Sequence, residues 1–186
     1  MNNQPLLKTA LKYGAIAGLG NFVFFLLLYF MGKNPLGNWS WAGVWITILV
    51  LVFGTKYHRN NDLGGYMSYG RGLGIGMLII AFNALLFALL AYCFGTIIDS
   101  SIPQMMINEF MESMEKARKF LGEDKYQTIM DTFEKNKDQF TMGKVALGDF
   151  ETKVIGGFIE CLIIAGIFTR KRPMFEQPTQ DSAINS

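Results

Sequence analysis

The chain has 186 residues, 51% of them hydrophobic, and a net charge of +2. That length suits one domain or a domain with one insertion, and the near-neutral charge argues against nucleic-acid binding and against a strongly acidic binding surface. Charge is unevenly spread: residues 99–153 hold eleven of the fifteen acids and eight of the seventeen bases, so this stretch is mildly acidic and the remainder basic.

Residues 1–12 are short, polar and basic. From Tyr13 to Gly32 there is no charged residue, a run of about 20 residues that as a helix would span about 30 Å. Lys8 and Lys12 precede it as in a signal peptide, but no small-x-small cleavage site follows, which predicts an uncleaved first anchor. Lys33 to Asn38 supplies turn chemistry through Pro35 and Gly37. The second apolar run, Trp39 to Thr55, opens with Trp39, Trp41 and Trp45, indoles suited to a headgroup boundary. Asp62 to Arg71 is a polar, glycine-spaced turn, and no charge follows until Asp99. An uncharged span of that length is long enough to cross a bilayer with tilt.

Ser101 and Pro103 mark a helix start, and Met106, Ile107, Phe110, Met114, Ala117 and Leu121 follow at helical spacing. Gly122 interrupts, and a second amphipathic pattern runs through Tyr126, Ile129, Met130, Phe133 and Phe140. These read as a polar helical hairpin outside the bilayer. The last run, Val154 to Thr169, is short and carries Glu160, a group that costs roughly 2.5–3.5 kcal/mol at a membrane-helix centre. If it spans, the basic groups at Lys8, Lys12, Lys56, Arg59, Arg71 and Arg170-Lys171-Arg172 share one side, as the positive-inside rule requires.

The expected architecture is therefore all-α and polytopic. Residues 1–98 hold three transmembrane helices, 99–150 an extracytoplasmic hairpin, 151–172 a fourth transmembrane helix and 173–186 a disordered cytoplasmic tail. Both termini are expected in the cytoplasm.

Polar residues inside the apolar runs carry the chemistry, because lipid makes them expensive. Asn21, Thr47, Asn83 and Glu160 each lie nine to twelve residues from the nearest cytoplasmic charge, at depths of roughly 14–18 Å. In one reading this layer takes up a proton or ion at Glu160 with the others as partners. In the other it only fixes helix register. Small residues at four-residue spacing (Ala10, Gly14 and Gly18; Gly72 and Gly76) predict close packing of the first and third helices.

Other constellations carry less. The glycines of the 62–71 turn lack the lysine-serine ending of a phosphate loop, so nucleotide binding is not expected, and Tyr66 and Tyr69 read as interfacial anchors beside Tyr13 and Tyr57. The methionines of the hairpin (Met105, Met106, Met111, Met114, Met130, Met142) read as apolar packing rather than soft-metal ligands. Cys93 and Cys161 fall inside apolar runs, where buried free thiols are expected, and lone His58 reads as a solvated loop residue. No pairing for catalysis, cofactor or metal stands out.

Lys12-Tyr13-Gly14, the Gly64 to Gly70 turn, the polar helical insertion and a last helix closing on Arg170-Lys171-Arg172 occur together. In this the chain resembles the bacterial membrane proteins grouped as domain-of-unknown-function family 4199, over roughly residues 6–172. The resemblance implies a small polytopic inner-membrane protein and brings no activity or site residues. The expected function is non-enzymatic, structural or partner-docking in the envelope. Its partners are the lipid bilayer and an envelope protein held by residues 101–140, or a second copy of the chain. The alternative is a small transporter or channel subunit that works through Glu160.

Overall fold

The computed structural model describes residues 4–137 and 140–170. Over these residues the chain is helical, with an isolated backbone bridge between Met67 and Arg170 as its β contact. Helix α1 runs Gln4–Phe30, α2 Val44–Tyr57 behind a short 3-10 turn at Asn38–Gly43, and α3 Tyr69–Ile97. Then come α4 Ile102–Leu121, α5 Glu123–Asn136 and α6 Met142–Phe168.

Three stretches are long and apolar enough to cross a membrane: Gln4–Phe30, Asn38–Asp62 and Tyr69–Ile97. Helix α6 matches α1 in length, at 27 residues. It differs because Lys144, Asp149, Glu151, Lys153 and Glu160 interrupt its apolar sequence. It also begins at Met142, inside the stretch read as hairpin. Thr141 caps it, its hydroxyl accepting from Lys144 N, and the helix then continues unbroken through Val154.

Helix α3 is the central element, and glycine decides how closely its neighbours approach. On one side are Gly14 and Gly18 of α1. A Cβ at Gly14 would stand 2.5 Å from the Phe82 Cβ and 3.0 Å from the Ile79 carbonyl oxygen. On the other side, Gly72 and Gly76 of α3 face Ala165 and Cys161 of α6, while Gly157 of α6 faces Ile80. The glycines of α1 thus meet α3, as their spacing suggested, but those of α3 serve α6. The small side chains at 161 and 165 make this seam possible.

The core has two parts. At the end where α1 begins and α6 finishes, Ala10, Leu51, Ile75, Ile79, Ile80 and Cys161 close on one another. At the α4–α5 end, Phe25, Phe87, Phe94, Ile102, Met142 and Val145 do the same. The link from α2 to α3 is tied down. Residues His58–Asp62 form a π-helical turn, and Gly64 and Gly65 take the left-handed conformation that reverses the chain. His58 is buried in this turn rather than solvated: its Nδ1 lies 2.7 Å from Asp62 Oδ2, which also accepts from the Thr9 hydroxyl at 2.9 Å. Cys161 is buried, but Cys93 is exposed on the outer face of α3.

Helix α4 is anchored near its start. Asp99 accepts from the Tyr29 hydroxyl and from Ser101 N, both at 2.8 Å. Glu109 accepts from Asn34 Nδ2 at 2.7 Å and from Asn38 N at 2.8 Å, binding α4 to the α1–α2 link. Farther out, Phe110 stacks on Phe133 with ring centroids 4.4 Å apart, and the Tyr126 hydroxyl donates to Glu115 at 2.9 Å. None of α5 is buried.

Two outcomes follow for stability. Gly14→Leu drives a side chain into Phe82 and the α3 backbone, so chemical unfolding in mixed micelles should show a loss of at least about 2 kcal/mol. Gly74→Leu, where an added Cβ meets nothing within 4 Å, should not lower stability and gains up to about 1 kcal/mol from helix propensity. The hydrogen bonds from Ser101, then Tyr29, hold the Asp99 carboxyl below its ordinary value of 3.8. A carboxyl lowered in the folded state stabilises above its unfolded pKa and loses that contribution as pH falls through its folded one. The difference in thermal midpoint between the natural chain and Asp99→Asn should therefore be full at neutral pH and shrink below about pH 3.8.

Candidate functional site

Three polar side chains that the apolar helices hold away from water meet in one cluster. Asn21 from α1, Thr47 from α2 and Asn83 from α3 are all buried. Asn21 Nδ2 donates to Thr47 Oγ1 and to Asn83 Oδ1, each at 3.0 Å, and Asn83 Nδ2 reaches Thr47 Oγ1 at 3.5 Å. In an apolar surrounding such groups are costly unless they satisfy one another, and here they largely do. Gly43 allows this: an added Cβ there would come 3.2 Å from Asn21 Oδ1 and 3.3 Å from the Phe24 ring.

The cluster forms part of the wall of a cavity of about 660 Å³. Helices α1 and α3 make its back through Phe24, Phe25 and Phe87, and the 3-10 turn and the start of α2 make one side with Trp41 and Val44. Helix α6 makes the other side with a face of small and polar residues: Gly148, Asp149, Thr152, Lys153, Gly156 and Glu160. Gly148 and Gly156 leave the space open, since a Cβ on either meets nothing within 4 Å. Toward the end where α1 begins the cavity is closed, because Leu51 of α2 and Cys161 of α6 converge on Gly76 of α3.

Glu160 shares this cavity but no hydrogen bond joins it to Asn21, Thr47 or Asn83, and its Oε2 is buried without a hydrogen-bond partner among the described residues. It is thus set apart from the other three in bonding while sharing their chamber. Seven residues earlier, Lys153 Nζ donates to both carboxylate oxygens of Asp149, at 2.6 and 2.7 Å, and lies 3.9 Å from the centre of the Phe87 ring. This pair satisfies its own charge.

Asp149 and Lys153 were not singled out in the sequence, yet a signal was present. They stand at i and i+4, with Gly156 and Glu160 continuing the same helical face, so one polar stripe crosses the boundary drawn at residue 150. The arrangement offers hydrogen-bond acceptors, one unpaired carboxyl and aromatic walls. Among the described residues no group of three or more His, Cys, Asp or Glu side chains could hold a metal ion. Because Asn21 and Asn83 are bonded inside the bundle, a double-mutant cycle with alanine at both should give a favourable coupling of at least about 0.6 kcal/mol, the average between membrane helices, and up to about 1.7.

No curated protein and no solved structure matches the chain. A family model does, over residues 12–170, under the description "Protein of unknown function (DUF4199)". That match takes in α2 to α5 whole, most of α1, and α6 with all of the cavity-lining residues, and the chain belongs to this family.

Proposed function

We propose that the protein is a non-enzymatic, multi-pass inner-membrane protein that binds an amphipathic small molecule in this cavity, as a carrier or as a subunit of one. The observation that carries the reading is the cavity's course: it runs from the α4–α5 end, past Met106 and Lys144, to a polar floor at Asn21, Thr47, Asn83 and Glu160. A chamber of this kind, mostly apolar with a few convergent polar groups, has the character of a ligand site.

In this reading α6 is the fourth spanning helix. Its support is the outward set Ile155, Ile163 and Ile167, all exposed at 61% or more, which needs lipid to cover it. Residues 1–98 and 151–172 then form the membrane bundle, 99–150 the outer segment with the first turns of α6, and 173–186, beyond the described residues, a cytoplasmic tail. The basic groups Lys12, Lys56, Arg59, Arg71 and Arg170 gather on one side, which supports cytoplasmic termini. Counted from Arg170, Glu160 lies ten residues in, at a depth of about 15 Å, the middle of the bilayer.

Docking of an envelope partner on residues 101–140 is the second reading, favoured by Phe120, which stands 92% exposed at the end of α4. Under it Phe120→Ser should abolish a crosslink formed from α4 in native membranes, and an unchanged crosslink would count against it.

Two measurements test the first reading. Single cysteines at Asn60 and Ser182 should react with an impermeant thiol reagent only in inside-out vesicles, and one at Lys125 only in intact spheroplasts. Ser182→Cys behaving like Lys125→Cys would remove the fourth span. Neutral dansylamide bound to the protein in nanodiscs should show energy transfer from the tryptophans. Gly156→Leu, which fills the cavity and favours helix, should weaken that binding at least tenfold, by order of magnitude about 1.4 kcal/mol or more.

A further inference from the structure

The floor of the cavity sets hydrogen-bond acceptors beside a carboxyl. Both hydrogens of Asn21 Nδ2 are engaged by Thr47 and Asn83, which leaves Asn21 Oδ1 as an acceptor. Asn83 Nδ2 turns toward Thr47. Glu160 adds a carboxyl whose Oε2 is buried and unpartnered. The other carboxylate of the wall, Asp149, is consumed by Lys153, so neither of that pair balances Glu160. Lys144, at the far rim, stands sixteen residues before Glu160, about 24 Å along the helix. The remaining wall is aromatic, with Phe24, Phe25, Phe87 and Trp41.

An unbalanced carboxyl beside aromatic faces suits one kind of ligand. We infer that the cavity takes a lipophilic amine in its protonated form, with the ammonium at Glu160 and the hydrocarbon body among Phe24, Phe25, Phe87 and Trp41. This inference rests on the cavity reading given under "Proposed function". The ammonium donates hydrogen bonds to acceptors that the floor offers at Asn21 Oδ1 and Glu160, and it brings the counter-charge that Glu160 lacks. Aromatic faces attract cations through their quadrupoles, and a desolvated site strengthens that attraction. A fatty acid is disfavoured because its carboxylate would meet that of Glu160. A plain acyl chain is disfavoured because its apolar end would lie against Asn21 and Asn83.

The test is displacement of dansylamide, a neutral probe, from the full chain in phosphatidylcholine nanodiscs at pH 7, read by energy transfer from tryptophan. Dodecylamine, dodecanol and dodecanoate share one chain length and differ in head group. Dodecylamine should displace the probe at least tenfold more potently than the other two. Glu160→Gln should abolish that advantage when each potency is read against the variant's own affinity for dansylamide. Equal potency of the three, or an advantage that survives Glu160→Gln, would overturn the inference. A dansylamide signal indifferent to both Gly156→Leu and Gly148→Leu would instead overturn the cavity reading beneath it, and this inference with it.

Discussion

Close approach of α1 and α6 to opposite sides of α3 is the constraint on which the rest depends. Lipid gives helices no hydrophobic drive to associate, so backbone proximity has to supply the packing energy. Gly14 and Gly18 admit α3 to α1, and Gly72, Gly76 and Gly157 admit it to α6. With three helices held in this way, Asn21 and Asn83 come within bonding distance, and the polar stripe of α6 is turned inward.

Helix α2 is held differently, and the cavity is the consequence. Its Gly54 lies against Tyr13 and Ile79, and its Leu51 belongs to the core at the end where α1 begins. Toward the other end the turn before α2 leans on α1 through Gly43 and Phe24, while α6 faces it with Gly148 and Gly156, where an added Cβ meets nothing within 4 Å. Nothing large fills that half. The bundle is consequently sealed at one end and hollow at the other, with its polar groups at the base of the hollow. Asp149 of the wall already has Lys153, whereas Glu160 Oε2 has no hydrogen-bond partner among the described residues.

How much of this could be read from the residues depended on direction. Position along a helix was legible, because charges mark where each helix leaves the membrane. Counting from Lys12, Lys56 and Arg71 therefore placed Asn21, Thr47 and Asn83 at one depth. Orientation around a helix was not. In a water-soluble bundle the apolar face marks the core, but lipid-facing and core-facing residues here are both apolar, so the period is silent. That is why Gly72 and Gly76 could be seen as contact residues without revealing α6 as their partner. It is also why Cys93 and Cys161, alike in sequence setting, end on opposite faces. The burial of His58 escaped notice for another reason: the π-helical turn that tucks it against Asp62 and Thr9 leaves no periodic signature.

The central claim is that the hollow reaches Glu160 from the outer side and stops there. The most direct measurement is the reactivity of Glu160→Cys, with Cys93→Ser and Cys161→Ala alongside it, toward a charged, impermeant methanethiosulfonate in oriented membranes. The expected result is modification from the outer face, slowed by Gly156→Leu, and none from the cytoplasmic face. Modification from the cytoplasmic face alone, or from neither face while the unfolded chain reacts freely, would contradict it.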